Sequence, residues 1–267
     1  MLTLAATPIG NLDDISTRLA TVLKETDYLF AEDTRQSRKL LTHLGIDRKM
    51  SSFHEHSDEV TLTYIGRLLA AGNKVAYISD GGMPAINDPG YELVRLALDQ
   101  GFEVDVIPGP CAVINALVLS GLPSHAFAFL GFFPTRPERR RDILDKLSAL
   151  EMTTLFYEAP SRITHTLAFL AEEIGETPMA LCREMTKMHQ EVLRGKPAEI
   201  LENLTQVRGE MALVIGPVEQ RKTEKSLLER YEELVAEGHA PSRCAKLLAG
   251  EFRTSKREVY KLINGES

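Results

Sequence analysis

Hydrophobic positions along the chain follow two patterns. Short, mostly apolar runs of four or five residues, at 2–6, 28–31, 75–78 and 104–107, have the length of strands in a buried sheet. Between them lie longer segments with apolar residues on one broad face. In residues 91–100, Leu93, Val94, Leu96, Ala97 and Leu98 form such a face. The other helices expected in this half start at Asp13 or Asp14 and end at Lys24, or span 58–71 and 111–120. Strand and helix in regular alternation predict βα units on a parallel sheet.

After Gly121-Leu122-Pro123-Ser124 the pattern changes. A Phe-rich run at 127–133 opens a second set of strands at 153–157, 179–183, 191–195 and 210–215, with helices at 163–173 and 197–204. The strand at 179–183 pairs with 191–195 as a hairpin with a long connection. A charged linker at 220–224 then leads to three helices near 226–237, 242–249 and 255–263. The expected fold is therefore α/β, in two lobes (1–121 and 122–219) with a small helical tail (220–267). The tail's two short helices, tight turn and basic last helix resemble a helix-turn-helix.

The loops carry the candidate chemistry. Ser79-Asp80-Gly81-Gly82-Met83-Pro84 and Pro108-Gly109-Pro110 each follow an apolar strand and precede a helix. Such loops are either turn chemistry or two walls of one small-molecule site, because open α/β sheets bind ligands at the carboxyl ends of their strands. Gly81 and Gly82 leave the backbone approachable, and Asp80 offers an acceptor for a hydroxyl or an amine. Neither phosphate fingerprint occurs, neither G-x-x-x-x-G-K-[ST] nor G-x-G-x-x-G, so the pattern suits a nucleoside-like ligand better than a polyphosphate. The loop after the first strand, with Pro8 and Gly10, is a weaker signal of the same kind.

Glu32, Asp33 and Arg35 stand at the end of the second strand. They form either a site cluster or a helix start with favourable acids. Arg35, Arg38 and Lys39 make a short basic group. Arg139-Arg140-Arg141 fits either a solvated helix face or phosphate contacts. His54 and His56 share a face if extended, but no third ligand stands at metal spacing, so no metal is expected.

Composition narrows the class. The chain has 267 residues, 43% hydrophobic and 26% charged, with a net charge of −7, so any nucleic-acid contact must come from local patches. One such patch is the tail, which from His239 onward carries six Lys or Arg against three acids. Three scattered cysteines without C-x-x-C point to a reducing cytoplasm. Neither a secretory leader nor a run long enough to span a membrane is found.

Seven motifs in order then give a specific resemblance. They are the segments at 6–15, 31–35 and 52–56, Ser79 to Pro84 with Asp88-Pro89-Gly90, Pro108-Gly109-Pro110, Phe156-Tyr157-Glu158, and Arg183 to Lys187. Together they resemble the ribosomal RNA small subunit methyltransferase I family, a branch of the tetrapyrrole-methylase-like, S-adenosylmethionine-dependent enzymes. The chain departs from the family pattern at Met83, Asn87, Cys111, Ala159 and Ser161, all in the loops concerned.

The resemblance implies two α/β lobes with S-adenosylmethionine in the cleft between them, usually in a homodimer. It implies 2′-O-methylation of a cytidine ribose in the decoding centre of 16S rRNA, with no DNA partner. Carried onto this chain, the cofactor contacts fall on Pro8, Gly10, Ser79, Asp80, Gly81, Gly82 and Pro84. In the later loops they fall on Pro108, Gly109, Pro110, Cys111, Ala112, Tyr157, Glu158, Arg183 and Ala212. Glu32, Asp33 and Arg35 are the candidate catalytic cluster, with Lys146 or Glu158 as substitutes for the base. RNA contacts are expected from Arg139, Arg140, Arg141, Lys256 and Arg257. Two other readings remain: C-methylation of a tetrapyrrole in the same fold, and a ligand-sensing regulator that binds nucleic acid through the tail.

Overall fold

The computed structural model describes residues 1–54, 59–218, 227–252 and 254–264. His56 and the linker expected at 220–224 lie outside these residues. The chain divides into two compact units, Met1–Val218 and Glu219–Ser267.

The first unit holds two five-stranded sheets. The first is wholly parallel, and its strands are β1 (Leu2–Ala5), β2 (Tyr28–Ala31), β3 (Ser51–Ser52), β4 (Val75–Ile78) and β5 (Val104–Ile107), in the order β3-β2-β4-β1-β5. The central strands β1 and β4 are buried along their whole length, which accounts for sequences apolar but for Thr3. Alternation sends Leu2, Leu4, Val75 and Tyr77 to one face, where they pack on α3 (Glu59–Ala70) and α4 (Tyr91–Asp99). Ala5, Ala76 and Ile78 point to the other face, under α1 (Thr17–Glu25) and α2 (Thr34–His43). The chain thus leaves β1 and β4 in opposite directions and on opposite faces. That opens a crevice at their carboxyl ends, the place where doubly wound sheets bind ligands.

Helix α1 starts one turn later than its acids suggest. Asn11 caps a single 3₁₀ turn, Leu12–Asp14, and Ser16 then caps α1 by accepting from Leu19 N at 3.1 Å. Asp13 and Asp14 belong to the 3₁₀ turn rather than to the cap.

The second sheet is mixed. Its strands are β6 (Phe127–Phe132), β7 (Thr153–Glu158), β8 (Met179–Arg183), β9 (Glu191–Gly195) and β10 (Met211–Ile215), in the order β6-β7-β10-β8-β9. Only β6 and β7 run parallel; β8 and β9 form the expected hairpin. Phe156, Leu181 and Leu213 face α6 (Pro137–Leu150), α7 (Pro160–Ile174) and α8 (Pro197–Asn203). Leu155, Ala180, Cys182, Ala212 and Val214 face α5 (Ala112–Ser120). Helix α5 follows the first sheet in sequence but buries Val113, Ala116 and Leu117 against the second. It leaves β5 through Pro108-Gly109-Pro110, so this loop joins the two lobes at the cleft.

The second unit is a three-helix bundle of α9 (Leu227–Ala236), α10 (Pro241–Glu251) and α11 (Lys256–Asn264) around Leu234, Cys244, Leu248 and Val259. Ser255 and Glu258 form a reciprocal capping box on α11, at 2.9 and 3.1 Å. The fold is thus the expected α/β pair of lobes with a helical tail.

Candidate functional site

Four loops meet at the carboxyl edge of the first sheet, and backbone contacts tie three of them together. Thr7 and Gly82 exchange backbone hydrogen bonds at 2.9 and 3.0 Å, which joins the loop after β1 to the loop after β4. A Cβ at Gly82 would stand 3.2 Å from Ile9 Cγ2, and its φ of +91° is itself unfavourable for other residues. A Cβ at Gly109 would stand 2.9 Å from Ala6 Cβ, so the loop after β5 also closes on β1. These two glycines are required by loop–loop approach. Gly81 is roomier: the nearest atom to its Cβ would be Pro8 O, at 3.4 Å.

Two loops across the cleft carry backbone strain. Ala85 and Asn87 after β4, and Glu184 and Thr186 after β8, all have φ between +50° and +68°. Such conformations cost non-glycine residues roughly 1–3 kcal/mol each, and Asn less than Ala. Both loops contact the opposite lobe. Asn87 Oδ1 lies 3.1 Å from where a Cβ would sit on Gly131 of β6. Thr186 Oγ1 lies 2.8 Å from a Cβ at Gly10, and Lys187 is closer still. Lys187 also bridges Glu184 and Glu210, at 2.9 and 3.1 Å.

Acidic side chains line this edge. Asp33 N donates to Asp80 Oδ1 at 3.0 Å and Asp80 N to Glu32 Oε2 at 3.2 Å, so β2 and β4 exchange side-chain caps. Asp33 also caps α2, accepting from Arg35 N at 2.8 Å, and pairs with the Arg35 guanidinium at 3.2 Å. The Arg35 hydrogen bond holds the Asp33 carboxyl below its ordinary range. Burial shifts the Asp80 carboxyl the other way, upward.

Asp88 departs furthest among these acids. Burial first, and then the charges of Glu32, Asp80 and Glu210, push it up to about 7, against the nearby Ser79 hydroxyl. Burial also pushes the Tyr157 phenol up, with Cys111, Asp88 and Glu210 adding to it. Asp88 of the first lobe and Tyr157 of the second therefore feel each other across the cleft. Asp88 and Glu210 were not singled out from the sequence. Asp88 was visible there only within Asp88-Pro89-Gly90, a pattern that also marks a plain turn.

The structure divides the predicted cofactor residues. Cys111, Ala112, Tyr157 and Ala212 share one cluster on the α5 face of the second sheet, which Ile9, not among the predicted residues, also joins. Pro8, Gly10, Ser79, Asp80, Gly81 and Gly82 adjoin it in the stitched loops, with Pro84 buried in the loop after β4 and Pro108 exposed after β5. Glu158 and Arg183 lie on the opposite face of that sheet, because each is one residue out of phase with the cleft-facing positions Tyr157 and Cys182. Glu158 is engaged by its own helix: Ala159 N at 2.8 Å, Thr166 Oγ1 at 2.6 Å and Arg162 at 2.5 Å. Arg183 pairs with Glu191 at 2.5 Å.

Lys146 is exposed on α6, whose inner face is Ile143, Leu144 and Leu147. Arg140 donates to Pro134 O at 3.0 Å and stacks over Phe169 and Phe133, at 5.3 and 5.9 Å, whereas Arg139 and Arg141 are exposed. In the second unit, Lys256 and Arg257 are exposed on the first turn of α11. Among the described residues no three His, Cys, Asp or Glu side chains gather as metal ligands, and no helix is long and apolar enough to cross a membrane.

An open recess of about 170 Å³ sits at the crevice itself, between α2 and the loops after β1 and β4. Thr7, Pro8, Gly10, Ser79 and Asp80 line one side, and Gln36, Ser37 and Lys39 the other.

Comparisons with known proteins agree on this architecture. Residues 1–201 match the model for tetrapyrrole (corrin/porphyrin) methylases. A Halalkalibacterium halodurans protein named ribosomal RNA small subunit methyltransferase I is 38% identical over 99% of this chain and 95% of its own length. Its namesake from Thermotoga maritima is 41% identical over 80% of this chain and 97% of its own. A third, from Xylella fastidiosa, is 38% identical over 97% of each. Among solved structures, uroporphyrin-III C-methyltransferase from Thermus thermophilus, complexed with S-adenosyl homocysteine, superimposes with a TM-score of 0.56 at 19% identity. It covers 81% of this chain and 97% of that one. Diphthine synthase gives 0.60 at 15% identity over 81% of this chain and 90% of its own. These two likenesses concern the fold.

Proposed function

The chain belongs to the ribosomal RNA small subunit methyltransferase I family, within the tetrapyrrole methylases, and from that premise we propose an S-adenosylmethionine-dependent 2′-O-methylation of a cytidine ribose in the decoding centre of 16S rRNA. The observation that carries it is the 38% identity to a protein of that name across 99% of the chain. S-adenosylmethionine supplies a methyl group activated on a cationic sulfonium. The residues present fit such a group. Asp80 and Asp88 make this edge of the cleft acidic, as suits a sulfonium and an ammonium. The stitched loops offer backbone without a phosphate cradle, as suits a ligand with no phosphate.

The chain's own residues position, exclude water and take a proton. Tyr157, Cys111 and Ala212 supply an apolar wall on the second lobe. A ribose hydroxyl must lose its proton as it is methylated. Asp88, ionised once a cation is bound beside it, is the acceptor in this reading, whereas Asp33 is already engaged by Arg35 and shapes the start of α2. The same reading includes a homodimer, for which α5 offers Ile114 and Val118, exposed one turn apart. It also includes a reducing cytoplasm, suited to three free cysteines.

The test offers methyl-labelled cofactor to small ribosomal subunits from cells lacking this activity, and separately to uroporphyrinogen. Nucleoside mass spectrometry should show label on a 2′-O-methylated cytidine. Label on a base alone, on the porphyrinogen, or on neither substrate would remove the reading.

A further inference from the structure

The motif Arg183 to Lys187 does more than end β8. Glu184 and Thr186 hold φ of +50° and +66°, where residues other than glycine are strained. The kinked backbone sends Met185 into the apolar cluster with Tyr157, Cys111 and Ile9, and Lys187 out over the first lobe. The Glu184 carboxylate folds back over Gly209, whose φ is +79° and where a Cβ would run into that carboxylate. Lys187 Nζ then bridges Glu184 at 2.9 Å and Glu210 at 3.1 Å, with 30% of its side chain exposed. Burial opposes its charge, but the hydrogen bonds to both carboxylates outweigh it, so the ammonium stays protonated and is no proton acceptor.

What Lys187 crosses is Gly10. A Cβ there would stand 2.5 Å from Lys187 Cγ, 2.8 Å from Thr186 Oγ1 and 3.0 Å from Lys187 Cε. Gly10 has no positive φ, so the crossing, rather than the backbone, calls for glycine. Its neighbour Ile9 enters the second-lobe cluster, and Ile9 Cγ2 lies 3.2 Å from where a Cβ would sit on Gly82. The first-lobe loop at 8–10 is thus held by Gly82 of its own lobe, by the cluster around Ile9 and by Lys187 over Gly10.

We propose that Lys187 is a positioning residue for cofactor binding: with Glu184 and Glu210 it forms a clamp from the second lobe that fixes the loop at 8–10 against the cofactor. The inference rests on the S-adenosylmethionine-dependent reading above, with Pro8 and Gly10 beside the cofactor, and adds the side chain through which one lobe sets the other. Lys187 touches neither cofactor nor RNA in this arrangement. Two carboxylates neutralise its ammonium, which disfavours a phosphate contact, and its stem is what meets Gly10.

S-adenosylmethionine affinity by calorimetry and the urea midpoint without cofactor are measured for Lys187→Met, Lys187→Arg, Gly10→Ala and the double variant Gly10→Ala with Lys187→Met. Lys196→Met is the control, since it removes an ion pair of the same kind, with Glu176, beyond the opposite end of β9. Lys187→Met and Gly10→Ala should each weaken cofactor binding about tenfold, because a displaced loop costs alignment. The double variant should also lose about tenfold, not a hundredfold, since both changes open one clamp. Lys187→Arg keeps a cation on a long stem and should stay within about threefold of wild type, and the control within about twofold. Losing a positive charge would by itself favour a cationic sulfonium, so the expected weakening has the opposite sign to a plain charge effect. Tighter binding by Lys187→Met, additive losses in the double variant, an equal loss in Lys196→Met, or unchanged affinity with a lowered urea midpoint would each overturn the inference. A wild-type protein that binds no S-adenosylmethionine would instead sink the parent reading, and the wild-type arm shows this before any variant is compared. One that binds it but methylates no RNA would sink only the ribosomal RNA reading, and the affinities would still decide the clamp.

Discussion

Asp33 and Asp88 are carboxylates at the same edge of one sheet, and their surroundings pull them in opposite directions. Asp33 accepts from the first turn of α2 and pairs with Arg35, so it stays ionised. Asp88 is half-buried among Glu32, Asp80 and Glu210 and titrates near 7 instead of at 3.8. A cation placed beside Asp88 favours its carboxylate, so binding the sulfonium releases a proton. Cofactor affinity should therefore rise between pH 6 and 8, and calorimetry in buffers of different ionisation enthalpy should detect the proton. Asp88→Asn should flatten that pH dependence; an unchanged slope would remove Asp88 from the cofactor's surroundings. The stability effect has the opposite sense. A folded pKa above the unfolded one stabilises below about 4 and loses that contribution as pH rises to about 7. Asp88→Asn should accordingly resist urea better than wild type at pH 8 and not at pH 4. The sequence showed both acids, but only burial separates them. The helix-start alternative for Glu32-Asp33-Arg35 could be stated from residue types alone, whereas nothing in Asp88-Pro89-Gly90 marks its carboxyl as enclosed.

The strands and helices were legible because the central strands are mostly apolar and most helices carry one apolar face. What the pattern could not supply is phase. Glu158 and Tyr157 are neighbours, and only the antiparallel register of β7 with β10 decides which of them faces α5. Arg183 is turned to the far face by the same alternation. Phase matters equally in Arg139-Arg140-Arg141 on α6. Arg140 lies over Phe133 and Phe169 and is bonded to Pro134 O, so its role is packing. Arg139 and Arg141 face solvent and are free to meet a polyanion. Arg140→Ala should cost roughly 1 kcal/mol in urea denaturation, from the stacked cation and its hydrogen bond. The double variant Arg139→Ala with Arg141→Ala should leave that stability within about 0.5 kcal/mol and weaken RNA binding. The reverse pattern, a destabilised double variant with unchanged RNA binding, would mean that α6 uses these arginines structurally.

At the scale of the whole chain, the sheet order β3-β2-β4-β1-β5 was not readable from the sequence, because pairing between distant strands is set by packing. The crevice it creates explains why loops separated by some 70 residues in sequence, at Thr7 and Ser79, line one recess. The tail poses a different question, whether it contributes chemistry or affinity. All four hydrophobic clusters that build the two sheets lie within residues 1–218, and the tail has a cluster of its own. The Thermotoga maritima relative bears the same name, yet 217 aligned residues account for 97% of it, about the length of the first unit. On the reading proposed above, the first unit would carry the chemistry and the exposed Lys256 and Arg257 at the start of α11 would meet phosphates. A chain ending at Val218 should bind S-adenosylmethionine with wild-type affinity and unfold in a single transition. Its methylation rate at saturating ribosomal subunits should stay within about threefold of wild type, less than 1 kcal/mol on the barrier. Its affinity for the subunits should fall, with a shallower dependence on salt, since phosphate contacts have been removed. Loss of cofactor affinity together with RNA affinity would make the tail part of the enzyme's core; an unchanged salt slope would show that α11 does not meet RNA.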